Sequence, residues 1–155
     1  MSYLYQINIS KGGVPKLPVE EVEVTVLGIL GDSQRYTKIH GGPERAICLY
    51  DIHLIHLLQE EGHPIEPGST GENFTLDFAT FSDLVPGTRL KIGKEVILEI
   101  SSYTAPCKTI GSSFTDKKFK RMSQKLFPQQ SRLYARVLKT GKVRKGDPVE
   151  VLSSS

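Results

Sequence analysis

The chain has 155 residues, of which 38% are hydrophobic and 24% are charged, and its formal net charge is +3. This size and composition are typical of one globular domain that builds a core without disulfides or structural metals. No apolar run approaches the roughly 20 residues of a membrane-spanning helix. The first residues carry no secretory signal pattern. We therefore expect a cytoplasmic protein without a membrane partner.

Strand patterns dominate the chain. The clearest is an alternation of acids with valines in the second predicted strand. In the first strand, alternation predicts that Leu4, Gln6 and Asn8 share one face, and a glycine-rich turn is expected at 11–15. The predicted strands are 3–10, 20–25, 46–49, 74–76, 89–92, 96–103, 134–139 and 148–152.

Two segments have apolar residues at helical spacing. The first, 51–61, begins with Asp51, a suitable N-cap, and precedes Gly62, which can end a helix. The second is 116–127, and a short helix or turn is expected at 82–84. Many short strands with two or three short helices predict a mainly β fold, a closed or nearly closed β-barrel. We expect one domain over residues 1–152 and a disordered tail at 153–155.

The two cysteines have different surroundings. Cys48 lies in an apolar run, where a small buried thiol fits well. Cys107 follows Pro106 at a strand end and precedes Lys108, and a nearby cation favours the thiolate, which is a nucleophile and a soft-metal ligand. The alternative for Cys107 is a half-exposed thiol without a role. We expect both cysteines to be free.

A glycine-rich loop before the third predicted strand is the first candidate binding segment. Adjacent glycines let backbone amides approach an anion closely, and an arginine adds a bidentate contact. The same residues also form ordinary turns, so that alternative stays open. The candidate residues are His40, Gly41, Gly42 and Arg45.

A second loop, 67–73, is rich in small residues and ends in Glu72 and Asn73. A carboxylate followed by an amide offers acceptors and donors suited to the edge of a heterocycle. The alternative is that both side chains cap the backbone of their own loop.

Basic residues cluster late in the chain. One interpretation is a solvated helix face, and the other is a surface for anionic ligands or nucleic acid. Since no aromatic platform or nucleic-acid motif accompanies the cluster, we do not expect a nucleic-acid partner. The residues are Lys117, Lys118, Lys120, Arg121 and Lys125.

Taken in order, these segments resemble the MOSC family, a domain named for the C-terminal part of molybdenum cofactor sulfurase. The resemblance covers nearly the whole chain and is greatest to the small stand-alone bacterial members. Each piece is common, whereas the ordered set is specific. The pieces are 7–10, 13–15, 28–32, 40–50, 62–65, 67–68, 71–75, 86–93, 106–107, 134–138 and 146–147.

The resemblance implies a β-barrel of the pyruvate-kinase β-domain type and the molybdenum cofactor, a pterin with a dithiolene and a phosphate. It implies that Cys107 either ligates the metal, for which a soft thiolate is suited, or carries sulfur. From side-chain chemistry, Arg45 and the glycine amides suit the phosphate, and Glu72 and Asn73 suit the pterin. Similar small members often carry an arginine shortly before the cysteine, where this chain has Thr104 and Ala105, so Lys108 is the nearest substitute.

Three functions follow from these observations. We place first a molybdenum-cofactor-dependent reductase of N-hydroxylated compounds with Cys107 as metal ligand. The chain has no flavin or nicotinamide fingerprint, so a redox partner would supply electrons. The second is a sulfur carrier or cofactor-delivery module with a persulfide on Cys107, supplied by a cysteine desulfurase, a pyridoxal-phosphate enzyme on a separate chain. The third is an anion- or nucleotide-binding barrel in which Cys107 has no role.

Overall fold

The computed structural model describes residues 1–10, 12, 14–32 and 42–154, with only the backbone described at 153 and 154. These residues contain eleven strands, one α-helix and several short 3-10 helices. The strands are β1 Tyr3–Ile9, β2 Leu17–Val19, β3 Glu21–Thr25, β4 Gly28–Ile29, β5 Ile47–Asp51, β6 Phe74–Asp77, β7 Thr88–Ile92, β8 Val96–Tyr103, β9 Leu133–Lys139, β10 Gly141–Arg144 and β11 Val149–Ser154. The α-helix, α1, is Ile52–Glu60. The 3-10 helices are Pro43–Arg45, Phe81–Asp83, Lys108–Ser113, Thr115–Lys117 and Phe119–Met122.

Eight strands form one sheet in the order β11-β7-β8-β9-β5-β6-β1-β2, and a second sheet has the order β10-β3-β4. Neighbours are antiparallel except β5 and β6, which α1 connects in parallel. The predicted mainly β class is therefore confirmed. The predicted closed barrel is not confirmed, because neither sheet of the described residues closes on itself. The two ends of the chain meet at an isolated bridge between Tyr3 and Pro148 and at backbone hydrogen bonds beside it.

The first predicted helix is confirmed by α1. The Asp51 carboxylate accepts a hydrogen bond from the His53 amide, which is the expected N-cap contact. The helix buries Ile52, Ile55 and Leu58, its apolar face, in a core cluster shared by both sheets. The short 3-10 helix expected near residue 82 is also present.

The expected alternation along the first strand is wrong. The register between β1 and β6 shifts between Leu4 and Gln6, so one extra residue is accommodated there. As a result Leu4 and Ile7, three positions apart, are both fully buried. A bulge of this kind changes which side chains share a face, and period-two alternation cannot reveal it.

The second predicted helix, 116–127, is also wrong. Asp116 and Lys117 both have a φ of 55°, in the left-handed region, so an α-helix cannot continue through them. Ser123 is extended and ends the second of two short 3-10 helices. The predicted apolar stripe still contributes Met122 to the core.

The strand predicted at 96–103 has the predicted bounds, the remaining predicted strands are present with shifted ends, and three strands were missed. β2 and β4 have two or three residues, and β10 has four residues and begins at Gly141. β11 pairs with β7 as far as Ser154, through most of the expected tail. The turn expected at 11–15 includes Lys11 and Gly13, which lie outside the described residues. Within the described part of the chain, no helix is long and apolar enough to cross a bilayer.

Candidate functional site

The centre of the large sheet brings together residues that are far apart in sequence. Tyr134 of β9 pairs with Cys48 of β5 on one side and with Ser102 of β8 on the other. Directly paired residues present their side chains on the same face of a sheet. The backbone amide of Thr104 donates to the carbonyl of Arg132 at 2.9 Å, which extends this pairing past the end of β8.

Cys48 is a free thiol buried in this layer, as predicted from its apolar run. Its Sγ lies 3.8 Å from Oγ1 of Thr104. Burial raises the pKa of the Cys48 thiol, and the positive charge of Arg132 opposes this shift. The thiol is therefore neutral at physiological pH and behaves as a packing residue.

Cys107 is also free, but it is partly exposed. Its Sγ lies 2.7 Å from Oγ1 of Thr109, and the residue begins the 3-10 helix Lys108–Ser113. Lys108 is exposed. The two cysteines thus differ in the way the sequence indicated: one is enclosed and the other can be reached from solvent.

Tyr134 connects the charged groups of this region. Its pKa is raised to about 12, chiefly by burial, and the neighbouring Cys48 and Cys107 act electrostatically in the same direction. The positive charges of Arg132 and Arg45 oppose the shift. Two thiols and two guanidinium groups therefore lie close enough to the Tyr134 phenol to influence its pKa.

Arg45 reaches the site from the glycine-rich loop. Its guanidinium carbon lies 5.4 Å from the centre of the Tyr134 ring, a cation–π geometry. Its backbone amide donates to the carbonyl of Gly42, whose φ is 91°. Among the described residues, no atom lies within 4 Å of a Cβ built on Gly42. The other two predicted residues of this loop, His40 and Gly41, lie outside the described residues.

Glu72 is fully buried, and both of its carboxylate oxygens are occupied. Oε2 accepts from the Gly68 amide and from the Thr75 hydroxyl, and Oε1 accepts from the Thr70 hydroxyl, each at 3.0 Å. Burial raises the pKa of the Glu72 carboxyl. The loop-capping alternative therefore describes the contacts of this side chain.

Asn73 is likewise fully buried. Its Oδ1 accepts from the Cys48 amide at 2.8 Å, and its Nδ2 donates to Oδ2 of Asp32 at 3.0 Å. The same Asp32 oxygen forms a buried ion pair with Lys16. Through these hydrogen bonds Asn73 connects the loop 67–73 to β5 and to Asp32.

Arg132 also belongs to this site, although no sequence pattern predicted it. Only 5% of it is exposed, and its guanidinium donates to the carbonyls of Thr70 and Ala105. Its Nε has no hydrogen-bond partner, and among the described residues no carboxylate forms an ion pair with it. The Arg132 guanidinium thus contacts the backbone of Ala105, two residues before Cys107. Only the pairing of β8 with β9 brings it there, and nothing in the linear sequence indicates that pairing.

A separate cavity of about 370 Å³ lies between α1 and the turn before β9. His53 is on its wall, with Nδ1 2.9 Å from Oδ2 of Asp51. None of the predicted site residues that the structure describes lines this cavity. Its lining includes Leu54, Leu57, Phe81, Pro128 and Gln130.

The fold and site define a mainly β domain with one accessible thiol near a buried tyrosine and two arginines. A family model, the MOSC domain, matches residues 36–150, which is well over half of the chain. The chain belongs to the MOSC domain family. This family is associated with molybdenum cofactor binding.

Individual relatives agree with this assignment. The chain is 29% identical to protein YiiM of Escherichia coli over 145 residues, which are 90% of this chain and 63% of that protein. It is 32% identical to a protein named "Reductase" from Gibberella moniliformis over 130 residues, 81% of this chain but 22% of that protein. The chain therefore spans less than two thirds of either relative.

Solved structures are similar as well. The crystal structure of YiiM from Geobacillus stearothermophilus matches with a TM-score of 0.73 and 25% identity, over 99% of this chain and 76% of that chain. The YUAD protein of Bacillus subtilis matches with a TM-score of 0.78 over 100% of this chain and 98% of that chain. Its identity is 18%, so this match concerns the fold alone.

Proposed function

We propose that this chain binds the molybdenum cofactor and reduces N-hydroxylated compounds, with Cys107 as a ligand of the metal. The observation that carries the proposal is a partly exposed soft thiol two residues after Ala105, whose carbonyl accepts a hydrogen bond from the buried Arg132 guanidinium. A thiolate suits molybdenum, and guanidinium groups suit an anionic cofactor. The similarity to a protein named "Reductase" supports the class of reaction.

The residues present fit such a cofactor. Cys107 offers a soft ligand, and in the described part of the chain no atom lies within 4 Å of a Cβ built on Gly42 and none accepts a hydrogen bond from the buried Nε of Arg132. Bound there, the cofactor would supply the redox chemistry of molybdenum. The chain would hold it through the Cys107 thiolate and receive the phosphate at Arg45 and the glycine-rich loop. Lys108, which is exposed beside Cys107, would add positive charge.

Glu72 and Asn73 have an indirect part in this proposal. Direct contact of their side chains with the pterin would require them to give up the internal hydrogen bonds they now make. Their side chains stabilise the backbone of the loop 67–73, and this backbone is the surface that would face the pterin. His40 and Gly41 are proposed phosphate contacts from the sequence pattern alone.

The test is metal analysis of protein purified from a molybdate-supplied host, with reduction of an amidoxime by a chemical electron donor as the second readout. We expect the native protein to contain molybdenum, and Cys107→Ala to lose most of the metal and the activity. Cys48→Ala is the matched control, because Cys48 is enclosed and should affect neither. Full molybdenum content and activity in Cys107→Ala would refute the proposal.

A sulfur-carrier function is the second candidate, and the partial exposure of Cys107 favours it. A persulfide on an accessible thiol can be passed to an acceptor protein, whereas one on Cys48 could not. Mass spectrometry after incubation with a cysteine desulfurase and cysteine tests this. An added sulfur on Cys107, absent from Cys48, is expected of a carrier, and no added sulfur would exclude it.

We further propose that the protein acts in the cytoplasm with a separate redox or sulfur-donating partner. Reducing conditions there keep thiols free, which both candidate functions require of Cys107. The two free cysteines are consistent with such a compartment.

A further inference from the structure

The positive charge of the chain is concentrated in one segment that begins beside Cys107. Residues 105–127 contain six basic residues and one acidic residue, a net charge of +5. The rest of the chain contains fourteen basic and sixteen acidic residues, a net charge of −2. We call residues 105–127 the basic segment. The net charge of this segment, +5, is larger than the net charge of the whole protein, +3.

The basic segment forms a compact surface in spite of its lack of an α-helix. Gly111, in the 3-10 helix Lys108–Ser113, packs against Lys117, since a Cβ built on Gly111 would lie 3.4 Å from the Lys117 Cβ. The five lysines of the segment are exposed, and none of them forms an ion pair with another described residue. They are Lys108, Lys117, Lys118, Lys120 and Lys125.

Arg121, the only arginine of the segment, is not available to a ligand. Its Nε and one terminal nitrogen donate to the two carboxylate oxygens of Glu61, at 2.8 and 2.9 Å. Its guanidinium also lies 4.2 Å from the centre of the Phe127 ring. The surface therefore presents lysine ammonium groups and no guanidinium fork. Bidentate recognition of phosphate depends on such a fork, whereas long-range attraction of an acidic surface does not.

We propose that the basic segment is a docking surface for the acidic face of a partner protein that reaches Cys107. This inference rests on the proposed function in one respect, because both candidate functions require a partner to deliver electrons or sulfur to this thiol. Mobile, hydrated lysines suit a transient complex that is steered by charge and released readily. Because Lys108 is adjacent to Cys107, a partner bound to the basic segment would cover the thiol.

The first experiment measures binding of a labelled polyglutamate peptide to the purified protein by fluorescence anisotropy at low and physiological salt. A triple variant, Lys117→Glu with Lys118→Glu and Lys120→Glu, is compared with Lys139→Glu, Lys142→Glu and Lys145→Glu, three exposed lysines around β10. Both variants change the charge equally. We expect the first to weaken binding about tenfold and the second by less than about twofold, and added salt to weaken binding to the native protein.

The second experiment uses Cys107 as a reporter, with the rate of its alkylation by iodoacetamide as the readout. Polyglutamate should slow the reaction several-fold in the native protein and in the β10 variant, but not in the basic-segment variant. Equal loss of binding in both variants, or binding that leaves Cys107 unprotected, would overturn the proposal. Tighter binding of duplex DNA or of anionic vesicles than of polyglutamate would also overturn it. Neither measurement depends on molybdenum. Failure of the docking proposal can therefore be distinguished from failure of the proposed function.

Discussion

Glu72 is a carboxyl group buried at the centre of a hydrogen-bonded loop, and its ionisation is coupled to folding. Burial raises its pKa in the folded protein above the unfolded value of about 4.3. A raised folded pKa means that the stabilising contribution is complete below the unfolded pKa and is lost as the pH rises through the folded pKa. Each unit of such a shift corresponds to about 1.4 kcal/mol.

The first prediction concerns Glu72→Gln. Glutamine keeps the shape of the side chain and does not ionise, although its amide nitrogen donates a hydrogen bond where one carboxylate oxygen accepts. We expect the stability of the native protein relative to this variant to decrease as the pH rises above about 4.3. Urea unfolding of both proteins between pH 4.5 and 8, at about one-unit intervals, measures the difference. A difference that does not change with pH would show that Glu72 titrates alike in both states.

Arg132 connects two loops through one side chain. Its guanidinium donates to the carbonyl of Thr70, in the loop before β6, and to that of Ala105, two residues before Cys107. A lysine at this position would keep the positive charge, but one ammonium group does not reproduce the planar fork that reaches both carbonyls. The loop that carries Cys107 would then be held less firmly.

We therefore expect Arg132→Lys to lower the free energy of unfolding by about 1–2 kcal/mol, the value of one or two lost hydrogen bonds. The alkylation rate of Cys107 should rise in the same variant. Arg89→Lys is the matched control, since Arg89 is half exposed and pairs with Glu99 on the sheet surface; its effect should stay within about 0.5 kcal/mol. Native stability together with a native alkylation rate would contradict a positioning role for Arg132.

The loop before β6 depends on close backbone contact with the segment after β1. Gly68 has a φ of 85°, and a Cβ built on it would lie 2.4 Å from the Lys16 carbonyl oxygen and 3.0 Å from Cγ of Asn8. The Lys16 amide donates to the Gly68 carbonyl at 2.9 Å. Only glycine fits here, both because of its backbone angle and because of the space available.

Gly68→Ala should consequently be much more destabilising than Gly62→Ala. Gly62 has a similar φ of 98°, but no atom of the described residues lies within 4 Å of a Cβ built there, so we expect only backbone strain of about 1 kcal/mol. For Gly68→Ala we expect a further loss of about 1–3 kcal/mol from the steric conflict. Urea unfolding of the two variants gives the comparison directly. Equal losses would mean that the contact with Lys16 is relieved without cost.

The elements that the sequence predicted well are those determined by local pattern. The alternation of acids with valines located β3, and the N-cap Asp51 with apolar residues at helical spacing located α1. The bulge in β1 shows only in its pairing with β6, and the positive φ angles at Asp116 and Lys117 fall on residues other than glycine. No local pattern records either feature, and for that reason these two predictions failed.

The site shows the same division between local and long-range information. Cys107 and Arg45 stand in recognisable motifs, so the sequence alone selected them, and the contrast between the two cysteines followed from their flanking residues. Arg132 and Tyr134 join the site only through strand register, as Tyr134 pairs with Cys48 across β5 and β9. A single sequence does not give that register.

At the scale of the whole molecule, the two ends of the chain are held together. Besides the bridge between Tyr3 and Pro148, the Leu4 amide donates to the Asp147 carbonyl at 2.8 Å, and the Gly146 amide donates to the Leu4 carbonyl at 2.7 Å. The core cluster includes residues of both sheets and of α1. A chain whose ends and core are joined in this way should unfold cooperatively, as small single domains do.

Cys48 is a natural probe of that cooperativity, because it lies on β5, a central strand of the large sheet, and only 4% of it is exposed. In a Cys107→Ser background it is the remaining thiol of the chain. We expect its reactivity toward a thiol reagent to appear in urea with the same midpoint as the loss of the far-ultraviolet circular dichroism signal. The physical reason is that exposing Cys48 requires separating β5 from both β6 and β9, which disrupts the sheet as a whole. Reaction of Cys48 at a lower urea concentration would reveal that the region around Tyr134 and Thr104 opens on its own, and would make that region a separate folding unit.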